Sequence, residues 1–393
     1  MKILLYTQYF PPENNAQANR WEYFCHYLVN HGHEVTVLTS FPSYPLHKLF
    51  PGYKRHWCFV EKQAGLTIFR TWTFLPGSFR FLASWWHQWS FALTSYFNSY
   101  KIGQTDVLII SAPPLVLGSF GLRIAKKRKI PVILDLRSTL ETFGYSRAKQ
   151  GIYHEATLIL VDSPALLKDL RTTYALPAKK VMYLPNGADL AFFAQEVDTS
   201  FLERQYNLYD KFIVLYTGLV EPIYGLETVV AAAHLLKDQS EIVFIIVGAG
   251  SSLEKLKIKA KKLKLTNVIF TGLRPHEEMP QYIALADVCL LPFKNKAILK
   301  NNLPSKMFDY LAAGKPIITN LEGEASHLLL EAQAGILVQP ENPQALADSI
   351  ITLQQDKFLR HKMGQLARTY AENNFNREEI SQKLEEIITA LVS

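Results

Sequence analysis

Short apolar runs alternate with longer amphipathic stretches along this chain, and the pattern runs through twice. In the first half KILLYT, HEVTVLTS, DVLIISA, PVILDLR, LILVDS and VMYLP read as strands. In the second half FIVLYTG, IVFIIVG, NVIFTG, DVCLLPF, KPIITN and AGILVQP do the same. Several are apolar at consecutive positions, so both of their faces need cover. The segments 20–30, 115–128, 225–237 and 252–264 lie between them and carry helical periodicity. Buried strands separated by helices predict an α/β chain of two tandem doubly wound, Rossmann-like domains. The pattern restarts after YLPNGADLAFF (183–193), where Pro185, Asn186 and Gly187 mark a turn. The expected division is a first domain over 1–195, a second over 196–370, and a C-terminal helix in 371–393 packing back on the first. Ligands are expected outside the carboxyl ends of the strands, in a cleft between the domains.

Composition narrows the class. The chain has 393 residues, 48% hydrophobic and 20% charged, enough for two real cores. Cys25, Cys58 and Cys289 are too far apart for a disulfide framework or a metal cluster, which points to a reducing, cytoplasmic setting. MKILLYTQYFPPE lacks the shape of a signal peptide, because proline and charge follow its short apolar run at once. Nothing reaches the unbroken apolar length of a spanning helix. FLASWWHQWSFALTSYF (81–97) comes nearest and is interrupted by His87, Gln88 and serines. The net charge of +7 suits nucleic acid, anionic lipid or phosphate-bearing substrates. KIKAKKLKL (257–265) reads as a solvated helix face, and zinc spacings and aromatic RNA motifs are missing, so nucleic acid is not an expected partner. His26, His31 and His33 read as structural, with HGH a turn before a strand.

Among doubly wound proteins the loops discriminate. The loop after the first strand, TQYFPPENNAQANRW, holds no glycine, so the G-x-G-x-x-G fingerprint of a dinucleotide site is missing there. VGAGSSLEKL offers Gly248 and Gly250 but no third glycine. No cofactor is therefore expected. NNLPSKMFDYLAAGKP (301–316) reads as a helix opening at Pro304–Ser305 and stopped by Gly314 and Pro316. Its first-turn N–H groups and Lys306 together suit a phosphate. The same features describe a capped surface helix, and the stretch alone does not choose between them.

GHEVTVLTSFPSYP, VMYLPNGADLAFF, LYTGLVEPIYGLETVVAAA, FIIVGAGSSLEKL, VIFTGLRPHEEMPQYIALADVCLLP, PSKMFDYLAAGKPII and EAQAGILVQPENPQALADSI follow one another in that order. Together they resemble the GT-B glycosyltransferases of family 4, in the bacterial subgroup that builds surface polysaccharides and O-antigens. The likeness covers nearly the whole chain and is stronger in the second half. It implies retaining, metal-independent transfer of a hexosyl or N-acetylhexosaminyl group from a nucleotide-sugar, UDP being expected. The acceptor would be a glycan or a polyprenyl-diphosphate-linked sugar. It names no catalytic nucleophile. In the second domain the resemblance aims helix 305–313 at the diphosphate, with Ser305, Lys306 and Met307 in its first turn. Asp309 would take the place of a Glu on the ribose hydroxyls, two donors facing two carboxylate oxygens. Gly218 would let the backbone approach the phosphates, and 271–274 would line the base, with Arg274 stacked on it.

The acceptor would contact the first domain through Asn14, Asn15, Gln17 and Arg20 of PPENNAQANRWEYF, and through Arg137. A polar loop capping the next helix is the plain alternative for the first four. The tryptophans of 81–97, flanked by Arg80 and Lys101, point to peripheral attachment at the inner membrane. A buried helix pair is the other reading of that segment. Several positions depart from the family pattern. Asn301 and Asp309 stand where an acid and a Glu are usual. Leu219 and Tyr224 stand where phosphate-binding cations are usual, Ser138 follows the retained Arg137 where an Asp is usual, and the first loop lacks its Gly-Gly. Each missing phosphate cation removes a charge-assisted contact of about 1.5–3 kcal/mol. A second reading follows: a weakly active or inactive relative serving as helper subunit to another glycosyltransferase.

Overall fold

The computed structural model describes residues 1–44, 48–75, 81–137, 145–194, 197–296 and 303–393, with the backbone alone described for 81–84 and 194. Ser138, Asn301 and Arg80 lie outside the described residues or side chains. The chain divides into two compact units, Met1–Pro185 with Glu378–Ser393, and Asn186–Arg377.

The first unit is built on β1 (Lys2–Tyr6), α1 (Ala16–Asn30), β2 (Glu34–Ser40), β3 (Cys58–Gln63), β4 (Leu66–Thr71), α2 (Phe81–Ser99), β5 (Val107–Ala112) and α3 (Val116–Arg128). It continues with β6 (Val132–Leu136), α4 (Arg147–Glu155), β7 (Leu158–Val161), α5 (Pro164–Thr173) and β8 (Val181–Tyr183). The strands form one sheet in the order β3-β4-β2-β1-β5-β6-β7-β8. All pairs are parallel except the β3/β4 hairpin. Alternate residues feed two cores. Ile3 and Leu5 face Trp21 and Phe24 of α1, while Leu4 and Tyr6 face Phe91 of α2 and Phe120 of α3. That two-sided burial is why these strands read as unbroken apolar runs.

The second unit runs α6 (Leu190–Ala194), α7 (Ser200–Tyr206), β9 (Phe212–Thr217), α8 (Leu226–Leu235), β10 (Ile242–Val247), α9 (Leu253–Lys262), β11 (Val268–Gly272) and α10 (Met279–Leu285). It continues through β12 (Val288–Leu291), α11 (Ser305–Ala312), β13 (Ile317–Thr319), α12 (Glu324–Glu331), β14 (Gly335–Leu337), α13 (Pro343–Gln355) and α14 (Lys357–Asn374). Its sheet, β11-β10-β9-β12-β13-β14, is parallel throughout. The last helix, α15 (Arg377–Val392), packs in the first unit, where Ile380, Leu384 and Ile388 join the core beside α1. His33 Nε2 and Glu385 lie 2.8 Å apart there.

Two differences from the sequence reading have simple causes. The units divide at Pro185/Asn186, earlier than 195, because residues 186–194 are tied to the second unit. Ala188 donates to Phe375 O and accepts from Arg377 N, and Arg368 Nη1 reaches Leu190 O. The β3/β4 hairpin differs from that reading because β3 is a largely exposed edge strand and β4, though buried, interrupts its apolar residues with Thr67 and Arg70. Its two-residue turn, Ala64 and Gly65, has positive φ at both positions, the twist such a hairpin needs.

Candidate functional site

The order of the second sheet reverses between β9 and β12, so a crevice opens beyond their carboxyl ends. Gly218 follows β9 there with φ of 123°. A Cβ on it would lie 2.6 Å from Lys306 Nζ, so only glycine leaves that ammonium its place. The loop after β10 presses on the same spot. A Cβ on Gly248 would lie 1.8 Å from Gly218 O, and one on Gly250 would lie 2.4 Å from Val220 O. Gly218 N donates to Val247 O and Val220 N to Ala249 O, each at 2.9 Å. The glycine pair of VGAG therefore braces two loops backbone to backbone.

Lys306 stands at the start of α11, whose N-cap is Pro304. Part of its stem is exposed, but Nζ is buried and has no hydrogen-bond partner among the described residues. It sits 4.1 Å over the ring of Tyr216 and 4.6 Å over the ring of Tyr224. Burial pushes the ammonium down to about 7, against the opposing charge of Asp309. Tyr216 is itself buried and donates from its hydroxyl to Leu219 O. Tyr224 leans on Phe293, with ring centroids 5.1 Å apart. Leu219 and Tyr224, the two departures from the family's cations, thus become parts of an aromatic seat under the remaining lysine. Met307 points the other way: its side chain is in the core and its N–H returns to Pro304 O. The first turn of α11 therefore presents Ser305 and Lys306, not Met307.

Asp309 is half-buried one turn along α11. Burial raises its carboxyl to about 6; Arg377 and Lys306 pull it down, and Asp189 raises it further. Arg377 also donates from Nη2 to Gly187 O at 3.0 Å. His276 stacks on Phe192 at 5.1 Å, its pKa lowered by burial and then by Arg377. Asp189, His276 and Arg377 were not singled out from the sequence. Asp189 lies within the turn segment NGADLAFF, whereas Arg377 sits in an ordinary amphipathic helix and gives no local signal. Arg274, beyond β11, is tethered sideways: Nη2 donates to Tyr206 Oη at 3.2 Å, and its buried Nε has no partner among the described residues.

In the first unit the polar loop before α1 is mostly structural. Asn15 caps α1, accepting from Gln17 N and Ala18 N at 3.0 Å, and the exposed Asn14 accepts from Asn19. Gln17 is buried and donates to Thr7 Oγ1 and Ser111 Oγ. Arg20 is 2% exposed and donates to the carbonyls of Leu184 and Pro185 beside Asp135. Arg137 donates to Ala16 O and faces Asp162. Two neighbours escaped the sequence reading. Gln8, at the carboxyl end of β1, is buried with both side-chain amide atoms unpartnered among the described residues. Glu13 is buried and accepts from the backbone of Phe10, Ser43 and Tyr44; burial raises its carboxyl to about 7. Among the described residues no three His, Cys, Asp or Glu side chains converge as metal ligands, and no helix is long and apolar enough to cross a membrane.

Known proteins share this architecture. Residues 17–192 match the family described as Glycosyltransferase Family 4, and residues 198–370 match Glycosyl transferases group 1. The protein assigned to colanic acid biosynthesis as glycosyl transferase WcaI in Escherichia coli K12 is 26% identical over 97% of this chain and 98% of its own length. Sucrose-phosphate synthase from Thermosynechococcus elongatus superposes with a TM-score of 0.80 at 18% identity, covering 100% of this chain and 99% of its own. Anabaena HepE, solved in complex with UDP, superposes at 0.71 and 17% identity over the full length of both chains. With a family match on each unit and the same two-sheet fold in these structures, the chain belongs to glycosyltransferase family 4, of GT-B fold.

Proposed function

We propose that this chain transfers a hexosyl or N-acetylhexosaminyl group, with retention, from a UDP-sugar to a glycan or polyprenyl-diphosphate-linked glycan during surface-polysaccharide synthesis. One observation carries the donor assignment: a buried lysine ammonium, without an acceptor among the described residues, at the first turn of α11 and against Gly218. A buried cation lacking an acceptor is costly, and a diphosphate supplies acceptors and opposite charge at a helix N-terminus. Lys306 and that terminus would neutralise the leaving diphosphate without a divalent ion. Asp309 would accept from the ribose and Arg274 would edge the base. On the acceptor side, Asn14, Asn15, Gln17, Arg20 and Arg137 would serve the acceptor, a reading supported by the bonds of Gln17 to Thr7, just after β1, and to Ser111 of β5. UDP is favoured by the UDP complexes of HepE. Polysaccharide synthesis is favoured by the names of WcaI and of the teichuronic acid glycosyltransferase TuaH of Bacillus subtilis. The helper-subunit reading has no comparable support. Contact with a membrane surface belongs to the same proposal, since a polyprenyl acceptor resides there.

A thermal-shift and hydrolysis screen against UDP-, GDP- and ADP-sugars tests the donor, because a ligand of the native state raises the melting temperature by mass action. UDP-sugars should shift it most, and Lys306→Ala should weaken UDP by about tenfold or more. Affinities unchanged in that variant would remove the donor assignment. Transfer should survive chelator, and loss of activity restored by Mg²⁺ would refute metal independence. The anomeric configuration of the product, read by NMR, tests retention.

A further inference from the structure

Helix α2 is amphipathic in the reverse sense. Its inward face carries His87, Thr94, Ser95, Asn98 and Ser99, all buried beside Phe91 and Ala92. These polar groups are bonded inside the unit: Thr94 to Trp72 O, Asn98 to Trp57 O, Ser95 to Tyr6 Oη, and His87 to Phe74 O. Its outward face carries Trp85, Trp86, Trp89, Leu93 and Phe97, which are 50%, 59%, 38%, 48% and 53% exposed. Folding in water favours the opposite arrangement. A contiguous stripe of this kind marks a second, apolar environment.

Charge identifies that environment. Residues 35–134 contain twelve Lys and Arg against two acids, Glu61 and Asp106, a net +10; the chain totals +7, so the remainder carries −3. Both acids are engaged, Glu61 with Arg70 and Asp106 with the backbone N–H of Lys2. Helix α2 has no charged residue, and exposed cations flank it. Lys54 and Arg55 are exposed and precede the exposed Trp57, whose carbonyl accepts from Asn98 of the helix. The neighbouring helix α3 presents Arg123, Lys126 and Lys127. Lys127 Nζ lies 4.1 Å over the Tyr100 ring, and Phe120, under Arg123, touches Trp89. An acidic soluble protein would satisfy the cations but offers the tryptophans no apolar layer. A bilayer of anionic lipid meets both needs, headgroups at the basic flanks and rings at the interface.

We infer that the outward face of α2, with its basic flanks, is the surface by which this protein lies on an anionic bilayer. The inference rests on the membrane-contact part of the proposed function and is independent of the donor assignment.

Vesicle sedimentation with the full chain tests it, using phosphatidylcholine alone and phosphatidylcholine mixed equally with phosphatidylglycerol. The native chain should partition to the mixed vesicles, with affinity falling as salt rises, and brominated acyl chains should quench its tryptophan emission. Trp85→Ser/Trp86→Ser should reduce partition by about tenfold or more while keeping the native melting temperature and the UDP-induced shift. Lys126→Glu/Lys127→Glu should reduce it similarly and flatten the salt dependence. If the tryptophan pair variant fails to fold, the lysine variant and the quenching decide. Native protein that stays in solution, binds both vesicles alike, or partitions unchanged in the variants overturns the inference; so does capture by an acidic protein without vesicle binding. A missing UDP shift in the native chain would instead strike the donor assignment and leave this surface standing.

Discussion

Lys306 holds its proton less tightly than an ordinary lysine because burial penalises the ammonium, and this sets two signs that experiment can read. In the free protein its pKa of about 7 lies below the ordinary 10.5. Between those values the unfolded chain binds more protons, so stability rises with pH through that window and the penalty is full below it. Lys306→Met should therefore melt several degrees above the native chain near pH 6, a gap that narrows as pH approaches 10. A bound diphosphate favours the charged form, so UDP affinity should fall as pH rises above 7. Calorimetric titration across pH checks this, and the Met variant should lack the dependence. Asp309, on the same helix, and the rings of Tyr216 and Tyr224 face the ammonium; below about 6 the Asp309 carboxylate protonates and withdraws its support. The rings supply a cation–π contact of about 0.5–2 kcal/mol. Tyr224→Phe should accordingly bind UDP almost as the native chain does, whereas Tyr224→Leu should bind it several-fold more weakly.

At the scale of elements, the loops after β9 and β10 hold the site by touching backbone to backbone. A methyl on Gly248 would meet Gly218 O at 1.8 Å, and its φ of 146° already disfavours any side chain. Gly248→Ala should lower stability by about 2 kcal/mol or more in urea titration and should weaken UDP, since Gly218, which borders Lys306, must shift. Gly103→Ala is the matched control: nothing lies within 4 Å of its Cβ position, and it should melt like the native chain. Helix α2 shows why element type and element environment are separate questions. Its tryptophans fit a buried helix pair as well as a membrane face when read as a string. Only the placement of Thr94, Ser95 and Asn98 against the sheet turns the aromatic side outward.

At the scale of the whole molecule, α15 completes the first unit from the far end of the chain. Ile380, Leu384 and Ile388 are buried there beside α1, and each fully buried aliphatic side chain contributes about 1.5–3 kcal/mol. That sum is comparable with the stability of a typical domain. Deleting residues 378–393 should abolish the melting transition of the first unit in calorimetry. The unit Asn186–Arg377 should still melt cooperatively and still respond to UDP, because Gly218, Lys306 and Asp309 all belong to it.

Local pattern was enough for much of this. Every strand read from an unbroken apolar run is a strand, because burial on both faces leaves its mark on consecutive residues. The start and stop of α11 are equally legible, from Pro304 and Ser305 at one end and Gly314, with φ of 66°, at the other. The hairpin β3/β4 was not, since β3 is an exposed edge strand and buried β4 breaks its apolar run with Thr67 and Arg70. Nor does a sequence show where a polar side chain points. Gln17 and Arg20 look like surface ligands in PPENNAQANRW and are in fact buried and bonded inside the first unit. Met307 adjoins Lys306 yet turns into the core. Tyr224 reads as a lost cation until folding brings its ring beneath the Lys306 ammonium. The sequence alone determined which elements form, because that depends on neighbours a few residues away. Only the tertiary structure decided which side chains meet, because those contacts join loops and helices far apart along the chain.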